Sequence, residues 1–163
     1  MAQLDISILL TIIDQAYDHK SWHGTNLRGS IRGLKAADAA LRPSPNRHNI
    51  WEIVVHAAYW KYVVRRRLLN EPRGSFPLIG SNWFKRPTDD ENEATWNADL
   101  ALLKNAHKGL RDAIEHLRPR DLSYTPKSSK VSNLELITGI AAHDLYHAGQ
   151  IQLLKRLQTK DRS

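Results

Sequence analysis

Two histidines one helical turn apart on an apolar stripe are the residues of this sequence best suited to chemistry. His143 and His147 fall among Leu136, Ile140, Ile151 and Leu154. At about 100° per residue these six share one narrow face of a helix. Rings four positions apart lie one turn over the other, so both imidazoles can reach a common ion. A third donor must then come from a facing helix. His56 shares a stripe with Ile53, Ala57, Trp60 and Val64, and small Ala57 and Ala58 leave room for a neighbouring helix or an ion. Three neutral imidazoles on one ion leave at least one coordination position open. Catalytic zinc sites have that form, whereas closed structural sites use four protein ligands.

The residues alone leave a second reading open, in which these are core histidines satisfied by hydrogen bonds or a buried water. Several polar partners would then be needed inside one core, and each unsatisfied group costs about 1–3 kcal/mol. A shared cation removes that demand. The chain has no cysteine, so thiolate ligands, iron–sulfur clusters and disulfides are excluded. His19 and His23 form a rival pair four apart, but they straddle Ser21-Trp22 and precede Gly24, where the helical pattern has failed. The expected place of His19 is a helix end, and that of His23 is a cavity near Trp22. His48, His107 and His116 read as surface or cap residues. Asp144 either orients a ring nitrogen, as metal-bound histidines usually require, or pairs with a basic residue on another helix, the reading favoured here. Tyr146 and Gln150 are expected to contact substrate or another subunit.

The elements that must position these residues are helical. Leu4, Ile8, Ile12 and Ala16 are spaced for a helix from about Leu4 to Asp18, and a shorter stretch is expected from Thr25 to Leu34. Asn49 and Glu52 have capping-box spacing at the start of a helix to about Leu69, where Pro72 and Gly74 follow. Thr88 with Glu91, and Ser132 with Glu135, repeat that signal before two further helices, the first stopped by Pro119 and the second running to about Lys160. The segment from Asn70 to Pro87 holds three prolines and aromatic Phe76, Trp83 and Phe84. Irregular connections of that length inside a domain are often functional. No repeat, low-complexity tract or alternating strand pattern interrupts this order. The expectation is one domain over residues 1–163, all-α, an up-and-down-type four-helix bundle.

At 163 residues, with 41% apolar and 25% charged residues, the chain has the composition of a single globular unit. The first residues lack a basic region and a sustained apolar run, so a leader is not expected, nor is a membrane span, and a cytoplasmic location follows. The formal charge of +7 raises the prospect of nucleic acid or anionic substrates. Its densest cluster, Lys61 to Arg67, reads as the solvated side of a long helix, because no nucleic-acid motif accompanies it.

The run Ala141-Ala142-His143-Asp144-Leu145-Tyr146-His147-Ala148-Gly149-Gln150-Ile151 resembles the last-helix motif of the DinB/YfiT-like family of four-helix metalloproteins. Upstream, Ser21-Trp22-His23-Gly24, Asn26-Leu27 and Asn49-Ile50-Trp51-Glu52 leading to His56 are similar to that family, as is the stretch from Phe76-Pro77 to Ser81-Asn82-Trp83. The resemblance implies a DinB/YfiT-like architecture and one divalent ion, nickel or zinc, held by His56, His143 and His147. It also implies homodimers, and thiol-dependent relatives such as bacillithiol S-transferases and mycothiol-dependent maleylpyruvate isomerase. Some relatives carry a carboxylate where this chain has His143, so the all-histidine set does not point to the isomerase branch.

Two functions compete at this point. The first is a metal-dependent transferase or hydrolase acting on a small-molecule thiol or an anionic substrate, with Trp22, Trp60 and Trp83 lining its cleft. Its opposite is a non-catalytic metal-binding protein or a stress-related nucleic-acid-binding protein, supported by charge alone.

Overall fold

The computed structural model describes residues 5–87 and 92–160, which are helical with no strand among them. Helix α1 (Ile6–Tyr17) is capped by Asp5, whose carboxylate accepts the N–H of Ser7. The stretch expected from Thr25 to Leu34 is helical over a shorter span. Helix α2 (Leu27–Ile31) is capped by Asn26 and closes at Gly33, whose φ of 76° is left-handed, and a second short helix, α3 (Ala36–Ala40), follows. Five residues are too few to show a helical period, so α3 leaves no sequence signal. Helix α4 (Ile50–Leu68) starts where Asn49 accepts the N–H of Glu52. The Glu52 carboxylate does not return to Asn49; it receives Arg42 at 2.6 Å and His48 at 2.8 Å. Helix α5 (Glu93–Glu115) is capped by Asn92. The Thr88–Glu91 capping box and Leu4 lie outside the described residues. A 3₁₀ turn at Pro119–Ser123 leads to α6 (Asn133–Lys160), where the Ser132–Glu135 box is present in both directions.

Paired residues fix how the four long helices run. Trp51 donates to Asp99 and Lys61 lies beside His107, so α4 and α5 are parallel. Tyr17 stacks on His107 and Asp14 pairs with Arg111, so α1 is antiparallel to α5. His56 packs on His147 and Lys61 on Asp144, so α6 is antiparallel to α4. Within the all-α fold the directions are therefore up, down, down, up. The parallel pair requires the connection from 69 to 92 to return along the bundle, and that return brings its middle past the histidines.

The core divides into two apolar clusters. One gathers Trp51, Ile53, Val54, Trp96 and Ile151; the other gathers Leu9, Ile13, Val64, Leu110 and Ile137. Each long helix also contributes a buried polar residue to one shared layer: Asp14, Lys61, His107 and Asp144. Lys61 and Asp144 are 0% and 1% exposed and ion-paired. Burial pushes the Asp144 carboxyl up, and the Lys61 ammonium opposes that. His107 sits 3.4 Å from the Lys61 ammonium and 3.9 Å from Asp14, with Tyr17 stacked on its ring at 3.7 Å. The solvated reading of Lys61 and the surface reading of His107 are thus corrected: both are buried, and they tie all four helices together. Desolvating such charges is costly, so mutual pairing is what makes the layer tolerable. Among the described residues, no helix is long and apolar enough to cross a membrane.

Candidate metal centre

His56 reaches the space between α4 and α6 from a stretch of α4 in which Ile53, Ala57 and Ala58 are buried around it. His143 and His147 approach from α6, as their i,i+4 spacing predicts. The His143 Nε2 stands 3.1 Å from the Nε2 of His56 and 3.1 Å from that of His147. One nitrogen from each ring lies within 4.8 Å of the others. Two nitrogens bound about 2.0–2.1 Å from a tetrahedral zinc would stand roughly 3.3 Å apart. The cluster therefore has the spacing of neighbouring donors on one ion.

The outer nitrogens decide what the inner ones can offer. Nδ1 of His56 lies 2.8 Å from the carbonyl oxygen of Asn82, and Nδ1 of His147 lies 2.7 Å from Oε1 of Gln150. Both partners accept, so both rings carry their proton on Nδ1 and present a lone pair at Nε2. Gln150 is held in turn by the Tyr146 hydroxyl at 3.1 Å. Burial keeps the rings neutral. It lowers His56 to about 4 against the opposing Asn82 hydrogen bond. It lowers His143 to about 3, helped by the charges of His147, His56 and Lys61, and it lowers His147 as well.

Hydrogen bonding within the cluster cannot satisfy this arrangement. A single Nε2 proton on His143 points at one neighbour and leaves the other lone pair unmatched, while Nδ1 of His143 is buried with no partner. A cation at the meeting point of the three nitrogens takes all three Nε2 lone pairs at once, and the proton of His143 then sits on its unpartnered Nδ1. The donor set therefore fits a divalent ion.

Aromatic rings wall the cluster. Trp83 stacks on His56 at 3.8 Å and on His48 at 3.6 Å, so the indole is clamped between two imidazoles. Trp60 approaches His143 with ring centroids 6.3 Å apart and donates its N–H to the Asn82 side chain at 2.9 Å. Asn82 adopts a left-handed φ of 65°, which asparagine tolerates better than most residues. That conformation lets its backbone serve His56 while its side chain serves Trp60.

Other expectations sort cleanly. Trp22 is 100% exposed, which does not place it in a cleft, and His23 is exposed with its Nδ1 3.3 Å from the Ser21 hydroxyl. His19 follows the end of α1 and bonds Asp18 at 2.8 Å. Of the expected surface or cap histidines, His48 is the clamp on Trp83, and His116 caps α5 with Nδ1 on the Asp112 carbonyl at 2.7 Å. Asp144 takes the ion pair with Lys61, not a ring nitrogen. The orienting groups missed in the sequence are Asn82 and Gln150. Gln150 left a signal, since a residue three after His147 shares its helix face; Asn82 left none, because its contact depends on the course of a loop.

The sequence profile of the family described as the DinB superfamily matches residues 21–151, which include all three clustered histidines and both orienting groups. No curated protein and no solved structure matches the chain.

Proposed function

The chain belongs to the DinB superfamily, and from that premise we propose a single-domain, cytoplasmic, metal-dependent enzyme. His56, His143 and His147 hold one divalent ion, nickel or zinc. The observation that carries this reading is the convergence of three Nε2 lone pairs, two of them committed by Asn82 and Gln150. When bound, such an ion supplies Lewis acidity that lowers the pKa of a thiol or water to near neutrality. The reaction class is thiol transfer or hydrolysis on a small molecule.

The chain's own residues do the rest. Asn82 and Gln150 orient the rings, which is the service outer partners give to bound histidines. Trp83 and Trp60 cover two sides of the cluster and exclude water, which strengthens electrostatic effects there. No ring of the cluster is placed as a proton carrier, since burial holds all three neutral. On the outside, Tyr146, Leu153 and Leu157 form an exposed stripe on α6, which we assign to a homodimer contact.

Metal analysis of untagged protein, purified without added nickel, tests the first step. About one ion per chain is expected, and His147→Ala should lose it. A screen of thiol-transfer and hydrolysis reactions should then find activity in the parent and none in His147→Ala. Equal activity in the two proteins would rule the mechanism out.

A further inference from the structure

The last turn of α4 carries Arg65, Arg66 and Arg67. Arg65 is neutralised by Glu71 at 3.0 Å. Its neighbours are not. Arg66 is 4% exposed and donates to the Glu71 carbonyl at 3.0 Å, yet its Nε is buried with no partner. Nε of Arg67 is buried in the same condition. Arg73, from the following loop, lines the same cavity as these two. Among the described residues no carboxylate pairs with any of the three. Burial, followed by the charges of Arg66 and Arg73, holds the Arg67 guanidinium below its usual value.

A favourable helix dipole explains cations in a last turn. It explains neither the burial of Arg66 and of the Arg67 Nε nor the addition of Arg73, exposed, from outside the helix. What these residues share is a cavity of 720 Å³ between α4 and the loop, walled by Tyr59, Trp60 and Phe76. Trp60 and Arg67 also line a smaller recess of 150 Å³ that reaches His143. Glu135 borders that recess, but its carboxylate is engaged by Ser132 at 2.7 Å. The arginine cavity and the imidazole cluster are thus separated by little more than shared side chains.

We propose that Arg66, Arg67 and Arg73 form an anion subsite for the carboxylate or phosphate of a small-molecule substrate whose other end reaches the His56–His143–His147 cluster. Guanidinium groups suit both oxyanions, through paired charge-assisted hydrogen bonds. The subsite itself stands on the arginines and their cavity; only its link to turnover rests on the metal-enzyme reading.

Isothermal titration calorimetry on the full chain tests it, with inorganic phosphate and succinate as separate probes, on metal-loaded and chelator-treated protein. At least one probe is expected to bind at millimolar concentration, and the stronger one tells phosphate from carboxylate. Arg67→Gln with Arg73→Gln should weaken binding about tenfold or more, the loss of roughly one charge-assisted bond. Arg66 is left in place because it is packed. Lys20→Gln with Lys104→Gln removes the same charge from exposed positions outside the cavity and should change nothing. Thermal unfolding checks that both double variants fold. Absence of binding by either probe overturns the subsite, and so does an equal loss in the lysine control, which would mark a diffuse effect of net charge. Metal uptake without anion binding overturns the subsite alone; anion binding without metal uptake supports the subsite and overturns the metal reading.

Discussion

His107 shows how much one neutral ring decides. It is packed against Tyr17 and faces the Lys61 ammonium, and burial with that charge lowers it from 6.5 to about 2. Its folded value lies below its unfolded value. Between pH 6.5 and about 2 the unfolded chain therefore binds a proton that the folded chain does not. Stability is intact above that window and falls as pH drops through it. His107→Gln keeps a polar, neutral side chain and should flatten the fall. Urea unfolding at steps between pH 7 and 5 should show a slope smaller by up to one proton, about 1.4 kcal/mol per pH unit. An unchanged slope would mean that the ring does not titrate with unfolding. The sequence held this signal in disguise, since His107 keeps helical register with Leu103, Leu110 and Ile114. Residue type argued for the surface while position argued for the core. Lys61 was obscured in the same way: it follows Ala57 and Ala58 and precedes Val64 on a buried face, but a lysine on a helix ordinarily means solvent.

Among the elements, α4 and α6 carry both the histidine cluster and the Lys61–Asp144 pair, so the pair sets how these helices meet. Removing one partner strands a buried charge. Lys61→Met alone should cost about 3–5 kcal/mol, and Lys61→Met with Asp144→Leu should recover most of it. Chemical denaturation of the two variants measures this. If the double variant regains stability but loses metal affinity, the pair serves the register of the histidines more than the stability of the fold. The helices themselves were readable, because Asn49, Ser132 and Pro119 mark ends in local chemistry and the apolar period marks the faces. Their directions were not. The parallel course of α4 and α5 depends on how the connection from 69 to 92 travels, and proline, glycine and aromatic residues say only that it is irregular. For the same reason the three donors could be read from two helical stripes, while the Asn82 carbonyl that orients His56 could not.

At the scale of the whole molecule, the exposed stripe of Tyr146, Leu153 and Leu157 on α6 bears on assembly. Leu153→Glu places a charge in its middle. Sedimentation velocity is expected to show a dimer for the parent and a monomer for the variant, with metal content unchanged. A parent that sediments as a monomer would remove the dimer assignment. The connection that returns along the bundle has a different bearing. A 19-residue α4 is about 28 Å long, and an extended chain covers such a distance in roughly nine residues. The connection is far longer than the crossing demands, and its surplus is folded over the imidazoles as Trp83 and Asn82 and beside the arginines as Arg73 and Phe76. Three imidazoles are thereby fixed on rigid helices while the wall opposite them belongs to a strap. Substitutions in that strap are expected to change what can approach the imidazoles without disturbing the bundle that keeps them in place.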